Sequence, residues 1–237
     1  MDQAPFKEKL CNGENNSGAP RGEASLPCLG HLKKLLHCKT LRVIPPQHKI
    51  FFQGESPHAV YLICSGLVKL TRTESEGKQV IVGLRRPGWL LGAAAFLLGM
   101  PHATTAEAVI RSKLCFVPIE QFKQEMDTNA QFSKWISMIL SRKVYVGVLN
   151  ISEKCSLSGR QRLEKFLWDL VQTEDGSEKK GPRKMQMTLK NWEVAQLLSI
   201  SPQYFCRLMS QLEGEGIVRR KEGWLIIPQP KRLFSRS

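Results

Sequence analysis

The chain has 237 residues, enough for two separate cores, and its 42% hydrophobic content is ordinary for globular domains. Its 35 Lys and Arg exceed 21 Asp and Glu, and a net charge of +14 favours polyanionic partners such as nucleic acid. No run of about 18 apolar residues occurs and the first 20 residues lack an apolar core, so neither a membrane span nor a signal peptide is expected, and a cytoplasmic location is.

Residues 1–25 are rich in Gly, Asn, Ser and Pro and predict a mobile tail. Leu26–Cys38 predicts a short amphipathic helix through Leu29, Leu32, Leu35 and Leu36. From Leu41 the pattern changes to short β-branched and aromatic runs broken by glycine: KIFFQGE, HAVYLICSGLVKLTRT, KQVIVGLRRPGWLLG and TTAEAVIRSKLCFVP. Strands at this spacing predict a barrel or sandwich, with Gly54, Gly66, Gly77, Gly88 and Gly92 at turns.

Helical character returns at Pro118–Phe122. A long helix is expected from about Asp127 to Glu153, spanning roughly 40 Å. Phe132, Trp135, Ile139, Val146 and Leu149 recur along it at 3-4 spacing, interrupted at Arg142. Such a stripe suits the same helix of a second copy, as well as packing on the chain's own β domain. Ser156–Arg160 is a plausible hinge, Gln161–Gln172 an amphipathic helix, Thr173–Lys184 a charged loop and Met185–Leu189 a short strand.

The most informative stretch follows. Asn191–Leu198 (NWEVAQLL) is a short amphipathic helix with small Ala195 where a second helix would cross. After a turn at Ser199–Ser201, SPQYFCRLMSQLEGE predicts another helix, with Ser201 as N-cap, Pro202 in the first turn and Gly214 or Gly216 ending it. Phe205, Leu208, Met209 and Leu212 make its apolar face, and Gln203, Arg207 and Gln211 its polar one. Two short helices joined by a tight turn form a helix-turn-helix, whose second helix would enter the DNA major groove with its N-terminal residues at base edges. Ile217–Arg220 and Trp224–Ile227 predict a hairpin wing, with Arg219, Arg220 and Lys221 placed for phosphates. Residues 156–237 hold 15 Lys and Arg against 9 Asp and Glu, so the basic excess is spread over the chain and charge alone does not locate the contact.

The order of β-roll, long helix, hinge and winged helix-turn-helix resembles the Crp–Fnr family of bacterial transcription regulators over about residues 29–228. The resemblance is carried by FFQGE, YLICSGLVKL and EGKQVIVGLRRPGWLLG in the roll, and by WEVAQLLSISPQYFCRLMSQLEGEGIV in the reader. It implies an α+β fold: a cyclic-nucleotide-binding-like roll over 26–126, a dimerisation helix over 127–155 and a winged helix-turn-helix over 156–237. It also implies a homodimer, joined through the long-helix stripe, on a pseudo-palindromic stretch of double-stranded DNA. Ser201, Gln203, Tyr204, Arg207, Gln211, Arg219, Arg220 and Lys221 are the expected DNA-binding residues. Arg207 matches the family's base-contacting arginine, whereas Gln203 replaces its usual glutamate and should shift the preferred base pair. RNA polymerase is a further partner of such regulators.

The family's effector pocket would fall at Gly92, Ala93, Thr104 and Thr105. Neither the family's glutamate nor its arginine is present in Gly92-Ala93-Ala94 or Ala103-Thr104-Thr105-Ala106, so cyclic AMP is not the expected ligand. The seven cysteines are odd in number and contain no C-x-x-C, which argues for reduced thiols rather than a disulfide framework or zinc finger. The family's oxygen-responsive branch suggests an alternative, an iron–sulfur cluster drawing on Cys28, Cys38 and Cys115 with Cys11, although these N-terminal gaps exceed that branch's tight loop. Haem through His31, His37, His48, His58 or His102 has no spacing to single out one of them. The chain carries no P-loop, GxSxG, HExxH or dinucleotide fingerprint, and an enzyme is not expected.

Overall fold

A computed structural model of the protein describes residues 40–172, 181–186, 189–221 and 223–233. The expected tail, the helix at 26–38, Cys11, Cys28, Cys38, His31, His37 and most of the 173–184 loop lie outside these residues.

Eight strands form the roll: β1 (Thr40–Ile44), β2 (Lys49–Phe51), β3 (Ala59–Ser65), β4 (Val68–Thr73), β5 (Gln79–Arg85), β6 (Leu90–Leu91), β7 (Thr105–Ala108) and β8 (Ser112–Pro118). They make two four-stranded antiparallel sheets in the orders β1-β8-β3-β6 and β2-β7-β4-β5. Phe51, Ile63, Val68, Leu91, Ala106 and Leu114, drawn from both sheets, fill the space between them. β3 is buried on both faces, because Val60, Leu62 and Cys64 alternate with Ile63 and point the other way, toward the helices. All five glycines expected at turns have positive φ. At Gly92 the requirement is double, since φ is 84° and an added Cβ would meet the Ala59 carbonyl at 2.8 Å.

Helix α1 (Ala93–Leu97) follows β6, and α2 (Ile119–Thr128) and α3 (Ala130–Ser156) follow β8. The long helix therefore starts at 130, not 127. Asn129 breaks the path with extended backbone, and its Oδ1 accepts the Phe132 N–H at 3.0 Å, capping the new helix. Phe132, Ile136 and Ile139 are buried against Phe122 and the outer face of β3 and β8.

That burial corrects the expected dimer stripe. Phe132 and Ile139 belong to the chain's own core and offer nothing to a partner, because regular apolar spacing does not say which surface covers it. The exposed apolar residues of α3 are Met138, Val144, Tyr145, Val148, Leu149 and Ile151, most of them in its second half.

Only Leu157 and Ser158 separate α3 from α4 (Gly159–Gln172). The reader continues with β9 (Arg183–Gln186), α5 (Asn191–Leu197), α6 (Pro202–Gly214), β10 (Arg219–Lys221) and β11 (Trp224–Ile227), the strands ordered β10-β11-β9. β9 begins two residues before the expected strand because Arg183 and Lys184 pair with Ile227 and Ile226. Leu163 and Leu167 of α4 pack with Val194, Phe205, Leu208, Met209, Leu212 and the wing's Leu225 and Ile227.

The roll and the reader touch. Leu67 and Val109 join the reader's core cluster. Lys69 Nζ lies 2.7 Å from Glu193 and 3.1 Å from Glu107, Arg86 lies 2.6 Å from Asp169, and the Gln196 side chain accepts the Ile81 N–H at 3.1 Å. Burial by itself would lower the Lys69 pKa, but the hydrogen bonds to Glu193 and Glu107 outweigh it and hold the ammonium above its ordinary value.

Candidate nucleic-acid interface

Helix α5 ends at Leu197 and α6 begins at Pro202. Between them Ser199 takes a left-handed φ of 53°, which reverses the chain in a few residues. The Ser201 hydroxyl accepts the Tyr204 N–H at 3.1 Å, as an N-cap should. Phe205, Leu208, Met209 and Leu212 are buried, and that fixes the opposite face outward. Gln203, Arg207 and Gln211 are accordingly all exposed. The Arg207 guanidinium lies 4.9 Å over the Tyr204 ring, which holds it along the helix without neutralising it. Gly216, with φ 67°, ends the helix.

The start of α4 braces this face. Gly159 is buried so close to Tyr204 that an added Cβ would lie 2.7 Å from its ring. Arg160 forks onto Glu215 with two bonds of 2.7 Å and reaches Glu164 at 2.9 Å. The bonds to Glu215, less an opposing effect of burial, hold the Arg160 guanidinium firmly charged. Arg162 donates to the carbonyls of Leu198, Lys154 and Leu157, so one side chain ties the helix-turn-helix to the end of α3.

In the wing, Arg219, Arg220 and Lys221 are exposed. Arg220 is already held by Glu213 at 2.7 and 2.6 Å, and the pair pulls the Glu213 carboxyl below its usual range. No carboxylate among the described residues holds Arg207 or Arg219. Sequence reasoning missed Asn191, whose side chain reaches Cys206 of α6 at 3.8 Å and stands exposed beside the recognition face. Its place in the first turn of α5 was the available signal.

The expected effector residues are less well placed. Ala93 is fully buried in the cluster between roll and helices and presents no surface to a ligand, because α1 folds it inward. The Thr105 hydroxyl accepts the Gln53 N–H at 3.0 Å. Residues 92–106 contain no carboxylate, Lys or Arg; their one ionisable side chain, His102, is buried and stacked on Phe51 at 3.9 Å. Burial lowers its pKa, against an opposing pull from Glu55.

Cys115 is buried and disulfide-bonded, with its partner outside the described residues. This overturns the expectation of reduced thiols at that position and removes Cys115 as a cluster ligand, since a disulfide sulfur is no thiolate. Among the described residues no group of three His, Cys, Asp or Glu is arranged to hold a metal ion. No described helix is long and apolar enough to cross a membrane.

A β-roll in contact with a helix-turn-helix whose polar face carries an unpaired arginine defines a DNA-binding regulator with a ligand-binding-type roll. Residues 41–129 match the cyclic nucleotide-binding domain family and residues 161–236 the Crp-like helix-turn-helix domain family. Among curated relatives, the cAMP-activated global transcriptional regulator CRP of Salmonella typhimurium is 22% identical over 185 residues, covering 78% of this chain and 87% of its own. The nitrogen fixation regulation protein FixK of Rhizobium meliloti is 22% identical over 191 residues, covering 80% and 83%. Among solved structures, FixK2 from Bradyrhizobium japonicum superposes with a TM-score of 0.65 at 18% identity, covering 82% of this chain and 94% of its own. A cyclic nucleotide binding protein from Ruegeria pomeroyi reaches 0.68 at 23% identity, covering 88% and 89%. The chain belongs to the Crp–Fnr family of transcription regulators.

Proposed function

We propose that the protein acts as a cytoplasmic homodimer on a pseudo-palindromic DNA site, each copy setting α6 into one major groove. Arg207 reads a guanine, Gln203 favours an adenine, and Gln211 and Tyr204 complete the face. Ser201, Arg219, Arg220 and Lys221 contact phosphates, Arg220 by exchanging Glu213 for the backbone. The second half of α3 forms the dimer seam through Val144, Tyr145, Val148 and Leu149, the part of the helix its own roll leaves uncovered. The roll acts as a sensor for an effector other than cyclic AMP, the complex engages RNA polymerase, and the chain has no catalytic role.

One observation carries this reading: Gln203, Arg207 and Gln211 stand exposed on one face while Phe205, Leu208, Met209 and Leu212 anchor the other. Binding-site selection from random duplexes is the test. A two-fold symmetric consensus with half-sites about one helical turn apart is expected, with affinity falling steeply as salt rises. Equal binding to every duplex would reject the proposal, and an unchanged consensus for Gln203→Glu would reject the role given to Gln203.

A further inference from the structure

Arg85 and Lys143 are cations of the roll and the long helix, both mostly buried, and they share one aromatic ring. The Arg85 guanidinium lies 4.6 Å over Trp89 and the Lys143 ammonium 5.3 Å from the same ring centre. Arg85 donates to the Leu84 carbonyl at 2.9 Å, and Lys143 to the Leu90 carbonyl, so each head is steered by backbone and retains further donors. Gly83 makes the space: a Cβ there would sit 2.7 Å from Arg85 Nη1.

No carboxylate among the described residues pairs with either cation. The nearby Arg86 has Asp169, and Lys69 takes both Glu107 and Glu193. A second copy packed along α3 does not supply one either, since the helix's one acidic residue, Glu153, lies ten positions and about 15 Å beyond Lys143. Burial, and then the neighbouring Arg85 charge, push the Lys143 pKa down to about 8, and burial lowers that of Arg85. Two like charges kept together away from water call for an anion from outside. Residues 92–106, where the family's charged pair would fall, hold no such cation.

We propose that Arg85, Lys143 and Trp89 form the anion subsite of the roll, taking a small molecule through its phosphate or carboxylate group. This rests on the reading of the roll as a sensor and names the chemistry it senses. A ligand there bridges β5 and β6 to α3, the element that leads to the reader.

The test uses the full chain in chloride buffer, titrated at constant ionic strength with inorganic phosphate and, separately, with succinate. Tryptophan fluorescence and melting temperature are read together. A saturable response to one anion or both is expected, and the stronger arm identifies phosphate or carboxylate as the preferred group. The fluorescence change should vanish in Trp89→Phe, and affinity should fall tenfold or more in Lys143→Met and Arg85→Gln. In chloride alone Lys143→Met should melt at or above wild type, and Lys143→Arg should keep binding, which separates loss of site from loss of fold. No saturable response to either anion in the millimolar range, or equal response in wild type and the charge-removed variants, would overturn the inference. DNA binding measured on the same samples keeps this failure distinct from failure of the regulator reading.

Discussion

Lys69→Met isolates the contact between roll and reader. In the wild type Lys69 Nζ stands 2.7 Å from Glu193 and 3.1 Å from Glu107, with side-chain exposures of 12%, 8% and 20%. Methionine keeps most of the stem's packing and removes the charge, leaving two poorly solvated carboxylates facing one another. At a separation of about 5 Å and an effective dielectric constant of about 20, their repulsion is roughly 3 kcal/mol, in line with the 3–5 kcal/mol typical of breaking a buried ion pair. Glu193 cannot swing away freely, because its other oxygen accepts the Lys190 N–H at 2.7 Å at the start of α5. Urea denaturation followed by tryptophan fluorescence should therefore show a loss of about 3 kcal/mol at pH 7. The loss should shrink toward pH 5 as one of the paired carboxyls takes up a proton. Adding Glu193→Gln should restore much of it, so the double-mutant cycle should give a coupling above about 1.5 kcal/mol. A single-variant loss below about 1 kcal/mol, or effects additive within about 0.5 kcal/mol, would refute the reasoning.

Arg207→Ala should cost roughly 1–3 kcal/mol of discrimination at one base pair of the selected site, measured by competition binding, with the melting temperature unchanged because the side chain is exposed. Gly159→Ala should destabilise the reader by roughly 1–3 kcal/mol and weaken DNA binding, since the new Cβ meets the Tyr204 ring at 2.7 Å; unaltered thermal melting would disprove this. Lys143, with a folded pKa of about 8 against an ordinary 10.5, binds its proton less readily in the folded chain than in the unfolded one. Stability should therefore rise with pH between about 8 and 10.5, by up to about 3 kcal/mol, and Lys143→Met should flatten that rise in a urea series.

The reader was legible because its signals are local. A cap at Ser201, proline in the next position and four apolar residues at helical spacing describe α6 without reference to anything distant, and the same pattern assigns Gln203 and Arg207 to the outside. The roll's turns were legible for a similar reason, since glycine was read where positive φ was needed. On α3 the pattern was visible but its covering surface was not: Phe132 and Ile139 pack on β3 and β8, and only tertiary structure says so. Contacts between distant residues were invisible. Lys69 meets Glu193 across 124 positions and Lys143 meets Leu90 across 53, and no spacing rule reaches so far. Ala93 was misread because an alanine beside a turn glycine suits a pocket wall as well as a packed helix.

The two-residue connection between α3 and α4 behaves as a stiff elbow. Arg162 clasps carbonyls on both sides of it, so α4 and the helix-turn-helix follow the end of α3 instead of trailing from it. A rod of 27 residues is about 40 Å long, and a tilt of about 10° at its base carries its far end about 7 Å. That is about two base-pair steps of 3.4 Å along DNA. A change of a few tenths of an ångström where β6 meets the rod is thus magnified by leverage into the difference between reading a sequence in register and missing it.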